Sequence, residues 1–218
     1  MCSEIRFEIG RGGCGSLGPQ RRAASSCQEP LETEGSEPMS LAAIIRHYLQ
    51  HYQPLHDHEL MWFRNQSSLE NALRIAGEAQ DDRGHRYSHQ RRVKSHAIKE
   101  ATKRLADSHD DIRRCSSFHE LWNLVGSRLR PIQGIGELYI YDTALRIGAH
   151  LHLTPEKVYL HAGTRTGARA LGFLSARDGS KEWLESKEFP ASLRNLPPSD
   201  VENLLCIYKS RLPRPNSA

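Results

Sequence analysis

The first amphipathic pattern begins at Ser40. Leu41, Ile44, Ile45, Tyr48 and Leu49 recur every three or four residues, which puts them on one helix face. A second helix is predicted over 57–65. A third runs from Ser68 to about Gln80: Ser67-Ser68-Leu69-Glu70 supplies a capping-type start, and Leu69, Ala72, Leu73 and Ala76 point inward. Asp81-Asp82-Arg83-Gly84 breaks it. Ser88 is the expected N-cap of a long helix reaching about Ala106, with Val93, Ala97, Ile98, Ala101 and Leu105 as its buried stripe. Ser116 or Ser117 starts another, which buries Phe118, Leu121, Trp122, Val125 and Leu129. After Pro131-Ile132-Gln133-Gly134-Ile135-Gly136 the helical pattern resumes as far as Leu151. Further elements are expected from Pro155 to about Leu171, over 180–185, and over 198–211. The last is capped by Ser199-Asp200 and buried through Val201, Leu204, Leu205 and Tyr208. Strand-type alternation is scarce, so the expected fold is all-α.

Residues 1–38 carry no such periodicity and are rich in Gly, Ser, Glu and Pro. They read as a disordered leader, or as an upstream extension of the reading frame, since Met39 directly precedes Ser40. The helical domain is expected over 39–212, with a tail over 213–218. A hydrophobic share of 38% in 218 residues is enough for one core. No run of about 18 apolar residues offers a membrane span, and the N-terminus lacks a secretory signal, so a soluble, intracellular monomer is expected. The five cysteines suggest neither a disulfide framework nor a zinc site. His56-Asp57-His58-Glu59 looks metal-like, but alternating ligands on a helix diverge, and no metal or cofactor is expected.

The net charge of +4 permits a polyanionic partner without demanding one, and its distribution says more. Arg83, Arg86, Arg91, Arg92, Lys94, Lys99, Lys103 and Arg104 form the densest basic run. Such a run is a solvated helix face by default. Gly134-Ile135-Gly136 between two helices lets the backbone turn sharply and expose N–H groups at a helix start, where a phosphate can sit. Any helix-to-helix turn can use glycine in the same way.

The string Leu129-Arg130-Pro131-Ile132-Gln133-Gly134-Ile135-Gly136 resembles the hairpin of the helix-hairpin-helix DNA glycosylases, the endonuclease III-like superfamily, which typically reads Leu-Pro-Gly-Val-Gly. Val158-Tyr159-Leu160-His161, followed by Arg165, Ala168, Arg169 and Leu171-Gly172, is similar to that family's Val-Asp-Thr-His segment and following helix. Tyr87-Ser88-His89-Gln90 resembles the helix start from which those enzymes push a Gln into the duplex. The resemblance spans roughly residues 85–172. It implies duplex DNA as partner, contacted by Gly134, Ile135, Gly136, Gln90, Arg91, Arg92, Lys94 and Arg165, and excision of a base after its extrusion. The scaffold is an abbreviated one, because Gln90 lies close before the hairpin where the family inserts extra helices.

Two departures bear on catalysis. The position where bifunctional members carry a Schiff-base lysine is Leu138, and the family's catalytic aspartate position is Tyr159. Water-dependent cleavage of an N-glycosidic bond still needs an anion near the sugar, where positive charge develops. Asp142, one turn beyond Leu138, is the candidate, with a structural ion pair to Arg146, or a plain helix-surface aspartate, as the structural alternatives. Glu137 reads as a first-turn glutamate that complements the helix dipole. Tyr141, Tyr159 and His161 are the expected lining of a base pocket. Small residues around Gly163 and Gly167 allow a close approach of backbone or DNA. A non-catalytic DNA-binding protein and an interaction scaffold are the competing expectations.

Overall fold

A computed structural model describes residues 39–213, so the expected leader and the end of the tail lie outside the described residues. The chain is predominantly helical, as its periodicity implies. The helices are α1 (Leu41–His51), α2 (Gln53–Arg64), α3 (Leu69–Glu78), α4 (Ser95–Asp107), α5 (His109–Arg113), α6 (Phe118–Leu129), α7 (Glu137–Leu151), α8 (Ala162–Ala170), α9 (Ala191–Arg194) and α10 (Pro198–Ile207). Ser40, Ser68 and Ser117 cap α1, α3 and α6, each accepting a backbone N–H three residues on. No described helix is long and apolar enough to cross a membrane.

Two apolar clusters lie side by side. The middle of the chain builds one, from Phe63, Leu73, Ala101, Leu105, Leu121, Val125, Ala144 and their neighbours. The two ends build the other, where Ile44 and Tyr48 of α1 meet Val158, Leu160, Leu184, Leu204 and Leu205. Helix α7 is central: residues 139–149 are all buried except Asp142, which is partly exposed, and Thr143 and Arg146 are polar positions buried within the same stretch.

Four sequence expectations change. The helix expected from Ser88 is broken: 88–90 form a 3-10 turn, and α4 starts only at Ser95 after the extended Lys94. His89 and Gln90 instead turn inward to bond Asp142, which a continuous helix would not allow. The segment expected as one element from Pro155 divides into strand β1 (Val158–Tyr159) and α8. The helix expected over 180–185 is replaced by strand β2 (Trp183–Leu184), antiparallel to β1 with Val158 opposite Leu184 and Tyr159 opposite Trp183. Six residues are too few to offset helix nucleation, whereas the aromatic cross-strand pair stabilises the ladder. Strand alternation sends Val158 and Leu160 into one cluster and Tyr159 into the other. Finally, Ser199 and Asp200 lie inside the first turn of α10 rather than capping it, and Asp200 accepts from Tyr48 Oη and Gln53 Nε2, each at 2.8 Å.

The small residues of α8 admit protein backbone. A Cβ on Gly167 would overlap the Leu205 carbonyl, and one on Gly163 would come within 2.7 Å of Cys206 Sγ. Close packing of α8 on α10 therefore requires glycine at both positions.

Candidate functional site

Asp142 sits where α2, α7 and α10 meet, at the seam between the two clusters. Leu138, one turn before it, lines the same recess, together with His56 and Glu59 from α2, Leu145, and Glu202 and Asn203 from α10. The recess has a volume of about 20 Å³. Only 12% of the Asp142 side chain is exposed.

Its carboxylate is held from one side. His89 Nε2 lies 2.8 Å from Oδ2, and Gln90 Nε2 donates to the same oxygen at 2.7 Å. Among the described residues Oδ1 takes no donor. Burial alone would raise the Asp142 carboxyl, but the hydrogen bond and charge of His89, backed by the charge of Arg146, outweigh it and hold the group down at about 2. An ionised carboxylate is thus maintained in the interior.

The pair with Arg146 foreseen as the structural alternative does not form. Arg146 Nε instead binds Glu59 Oε1 at 2.8 Å, and the guanidinium lies over the Tyr87 ring at 3.9 Å. It acts on Asp142 through charge alone.

Across the recess, Glu202 is paired too. Its Oε1 is 2.5 Å from His161 Nε2 and accepts from Thr164 Oγ1 at 2.7 Å. His161 caps α8: the Gly163 N–H donates to its Nδ1 at 3.2 Å. A ring that accepts at Nδ1 and donates from Nε2 to Glu202 is the neutral tautomer, and burial pushes the Glu202 carboxyl above its ordinary range. Each carboxylate of the recess therefore already has its own cationic or hydrogen-bonding partner.

The residues expected to form one pocket are divided between two. Tyr141, Tyr159 and His161 line a different recess, of about 40 Å³, with Trp122, Arg130, Glu137 and Arg165. Successive residues on a helix point about 100° apart, so Tyr141 and Asp142 face different sides of α7. The Tyr159 hydroxyl is 3.0 Å from His119 Nδ1, whereas Tyr141 Oη is buried without a hydrogen-bond partner. Two ion pairs cross the mouth: Arg130–Glu182 at 3.6 Å and Arg165–Glu137 at 3.7 Å.

The expected DNA contacts also separate. Gly134 adopts φ +93°, in the left-handed region that favours glycine, and a Cβ on Gly134 or Gly136 would meet nothing within 4 Å. The turn is therefore open to a partner. Gly136 caps α7 with no side-chain acceptor, which leaves first-turn N–H groups free for an anion, while Ile135 packs against the core. Arg91, Arg92 and Lys94 are exposed, and Arg91 borders an open groove of about 470 Å³ with Arg86 and Lys99. At the far end of α4, Arg104 Nη1 donates to the Arg128 carbonyl at 3.0 Å, tying the basic helix to the end of α6 beside the hairpin.

Two of these residues are not surface contacts. Gln90 is 2% exposed and occupied by Asp142, so it does not reach out to enter a duplex. Arg165 donates to the Lys181 carbonyl at 2.5 Å and pairs with Glu137, fastening the loop before β2. His89, Glu59 and Glu202 were not foreseen as site residues. His89 had a signal, since it adjoins Gln90 in the matched motif. Glu59 stood out only within the metal-like run His56–Glu59 and Glu202 not at all, because both reach α7 only through the tertiary fold.

No family model, curated protein or solved structure matches the chain.

Proposed function

We propose that this protein binds duplex DNA through the Gly134–Gly136 turn and the basic face around Arg91, Arg92 and Lys94, and hydrolyses the N-glycosidic bond of a damaged or modified base. One observation carries the reading: Asp142 is an ionised carboxylate in a recess shared with Leu138, one turn from the hairpin-started end of α7. A fixed anion in a weakly solvated site stabilises the positive charge that develops on deoxyribose as the bond breaks. Gln90 and His89 hold that anion in place rather than touching DNA. Tyr141, Tyr159 and His161 lie in a separate recess and are given no part in the step.

A second reading, DNA binding without base release, is favoured by one feature. The recess at Asp142 is the size of a water rather than of a sugar, so a deoxyribose reaches the carboxylate only if α2 or α10 yields. One experiment separates the readings. The protein is incubated with duplexes carrying uracil, hypoxanthine, 8-oxoguanine, 7-methylguanine and hypermodified pyrimidines, and strands are then cleaved with alkali. Alkali-labile breaks at the modified position support excision. Binding without breaks supports the second reading, and failure to bind any duplex at low salt contradicts both.

A further inference from the structure

His161, Glu202 and Cys206 are drawn together where α8 packs on α10. Glu202 and Cys206 stand four residues apart on α10, hence on one face, and His161 is the N-cap of α8. One ligand-capable atom from each lies within 4.8 Å of the others, and all three side chains are buried. No other three His, Cys, Asp or Glu side chains among the described residues converge in this way. Cys206 is in no disulfide. Its place depends on Gly163, since a Cβ there would come within 2.7 Å of the sulfur.

Two features set the cluster apart from an ordinary buried hydrogen bond. The first is charge. With His161 neutral, the Glu202 carboxylate has no cation beside it: its partner is the imidazole at 2.5 Å, and no Lys or Arg pairs with it among the described residues. A carboxylate buried without a counter-charge is costly. The second is the donor set. A His–Glu hydrogen bond needs no thiol, whereas imidazole, carboxylate and thiolate together are zinc ligands. Thiolate and carboxylate carry two negative charges, so one divalent ion leaves no net charge in the interior.

We propose that His161 Nε2, Glu202 Oε1 and Cys206 Sγ bind one zinc ion. The site is independent of DNA and of the glycosylase reading. Zinc bonds of about 2.0–2.3 Å set tetrahedral ligand atoms about 3.3–3.6 Å apart, so Nε2 and Oε1 part by about 1 Å as the ion enters between them. The Cys206 thiol proton leaves to solvent, and the ring proton moves from Nε2 to Nδ1. The Gly163 N–H, which donates to Nδ1 at 3.2 Å, then gives way. Thr164 Oγ1, 2.7 Å from Oε1, keeps its bond to the carboxylate and orients that ligand. Three protein ligands leave a fourth position for water. The ion joins the start of α8 to α10 in the wall between the two recesses, since Glu202 lines one and His161 the other.

Cobalt reports such a site, because a thiolate ligand gives it a near-ultraviolet charge-transfer band and tetrahedral geometry gives it strong visible bands. The full chain with Cys2, Cys14, Cys27 and Cys115 changed to serine keeps Cys206 as its one thiol. Titrated with Co2+ after chelator treatment, it should develop both sets of bands, saturate at one equivalent and be bleached by Zn2+. Cys206→Ala in that chain should abolish the charge-transfer band. Glu202→Gln, which keeps the shape but not the charge, should weaken cobalt binding by at least about tenfold. Cobalt bound without the charge-transfer band sits elsewhere, for example at His47 and His51, whose rings are 4.4 Å apart, and overturns the proposal. A folded chain that binds no cobalt overturns it too. Where the substituted chains do not fold, a crystal of the zinc-soaked wild type decides. An anomalous peak at the zinc edge between the three side chains is expected, and a map without it contradicts the site.

Discussion

Gln90 Nε2 donates to Asp142 Oδ2 at 2.7 Å, across 52 residues of sequence. This bond links the segment that resembles a DNA-entering loop to the partly exposed carboxylate inside the central helix. It also explains why the helix expected from Ser88 is interrupted, since the residues that bond Asp142 must leave the helical path. Gln90 thereby belongs to the interior, and its substitution is expected to behave accordingly.

Gln90→Leu removes one of the two donors to a buried anion without changing the surface. The cost should be about 2–3 kcal/mol. For a domain of this size that corresponds to a melting temperature lower by roughly 4–12 °C. DNA affinity should be unchanged. Thermal unfolding and duplex binding measured on one preparation check this, and a stable variant with weakened binding would restore Gln90 as a surface contact.

Asp142 sets the acid sensitivity of the fold. Its folded-state value of about 2 lies below its ordinary 3.8, so the group binds fewer protons folded than unfolded near pH 3. The resulting stability, about 2 kcal/mol, is complete above roughly pH 4 and disappears as pH falls through about 2. In urea titrations between pH 2 and 7, the stability gap between the wild type and Asp142→Asn should narrow over that window. A gap independent of pH would mean that the carboxylate gains nothing from His89 in the folded state.

Arg91 and Arg92 are exposed, whereas Arg165 is tied to the Lys181 carbonyl and Glu137. Replacing Arg91 and Arg92 together with alanine should weaken binding to all duplexes alike and reduce the salt slope by about 2, one for each lost phosphate contact. Arg165→Ala should instead lower the melting temperature and leave the salt slope alone. Binding titrations over a salt series distinguish these outcomes, and an unchanged slope in the double variant would make residues 91–94 solvated surface only.

What could be read in the sequence was governed by locality. Helices α1, α3 and α6 were legible because their apolar stripes and serine caps lie within a few residues of one another, and α7 because its apolar stripe follows directly on the Gly134–Gly136 turn. The short strands were not, because Val158–Tyr159 and Trp183–Leu184 become strands only by pairing with each other. The site divides in the same way. Asp142 was found from its spacing to Leu138, and both line one recess. His56 was read only as part of a metal-like run, and its meaning depends on α2 lying against α7. Tyr141 and Tyr159 line a recess separate from that of Asp142: Tyr141 because a step of one residue on a helix turns the side chain by about 100°, and Tyr159 because it stands on β1.

The central claim is that the charge of Asp142, rather than its shape, promotes base release. Asp142→Asn keeps the size of the side chain and one acceptor for Gln90 or His89 while removing the negative charge. On the duplex from which the wild type releases base, single-turnover release by this variant, at a temperature where it is folded, should fall by at least about 100-fold. Its affinity for the same duplex should be retained or increased, since a negative charge near phosphates has gone. Wild-type release rates in Asp142→Asn, with a change in melting temperature alone, would contradict the account and leave Asp142 as a structural carboxylate.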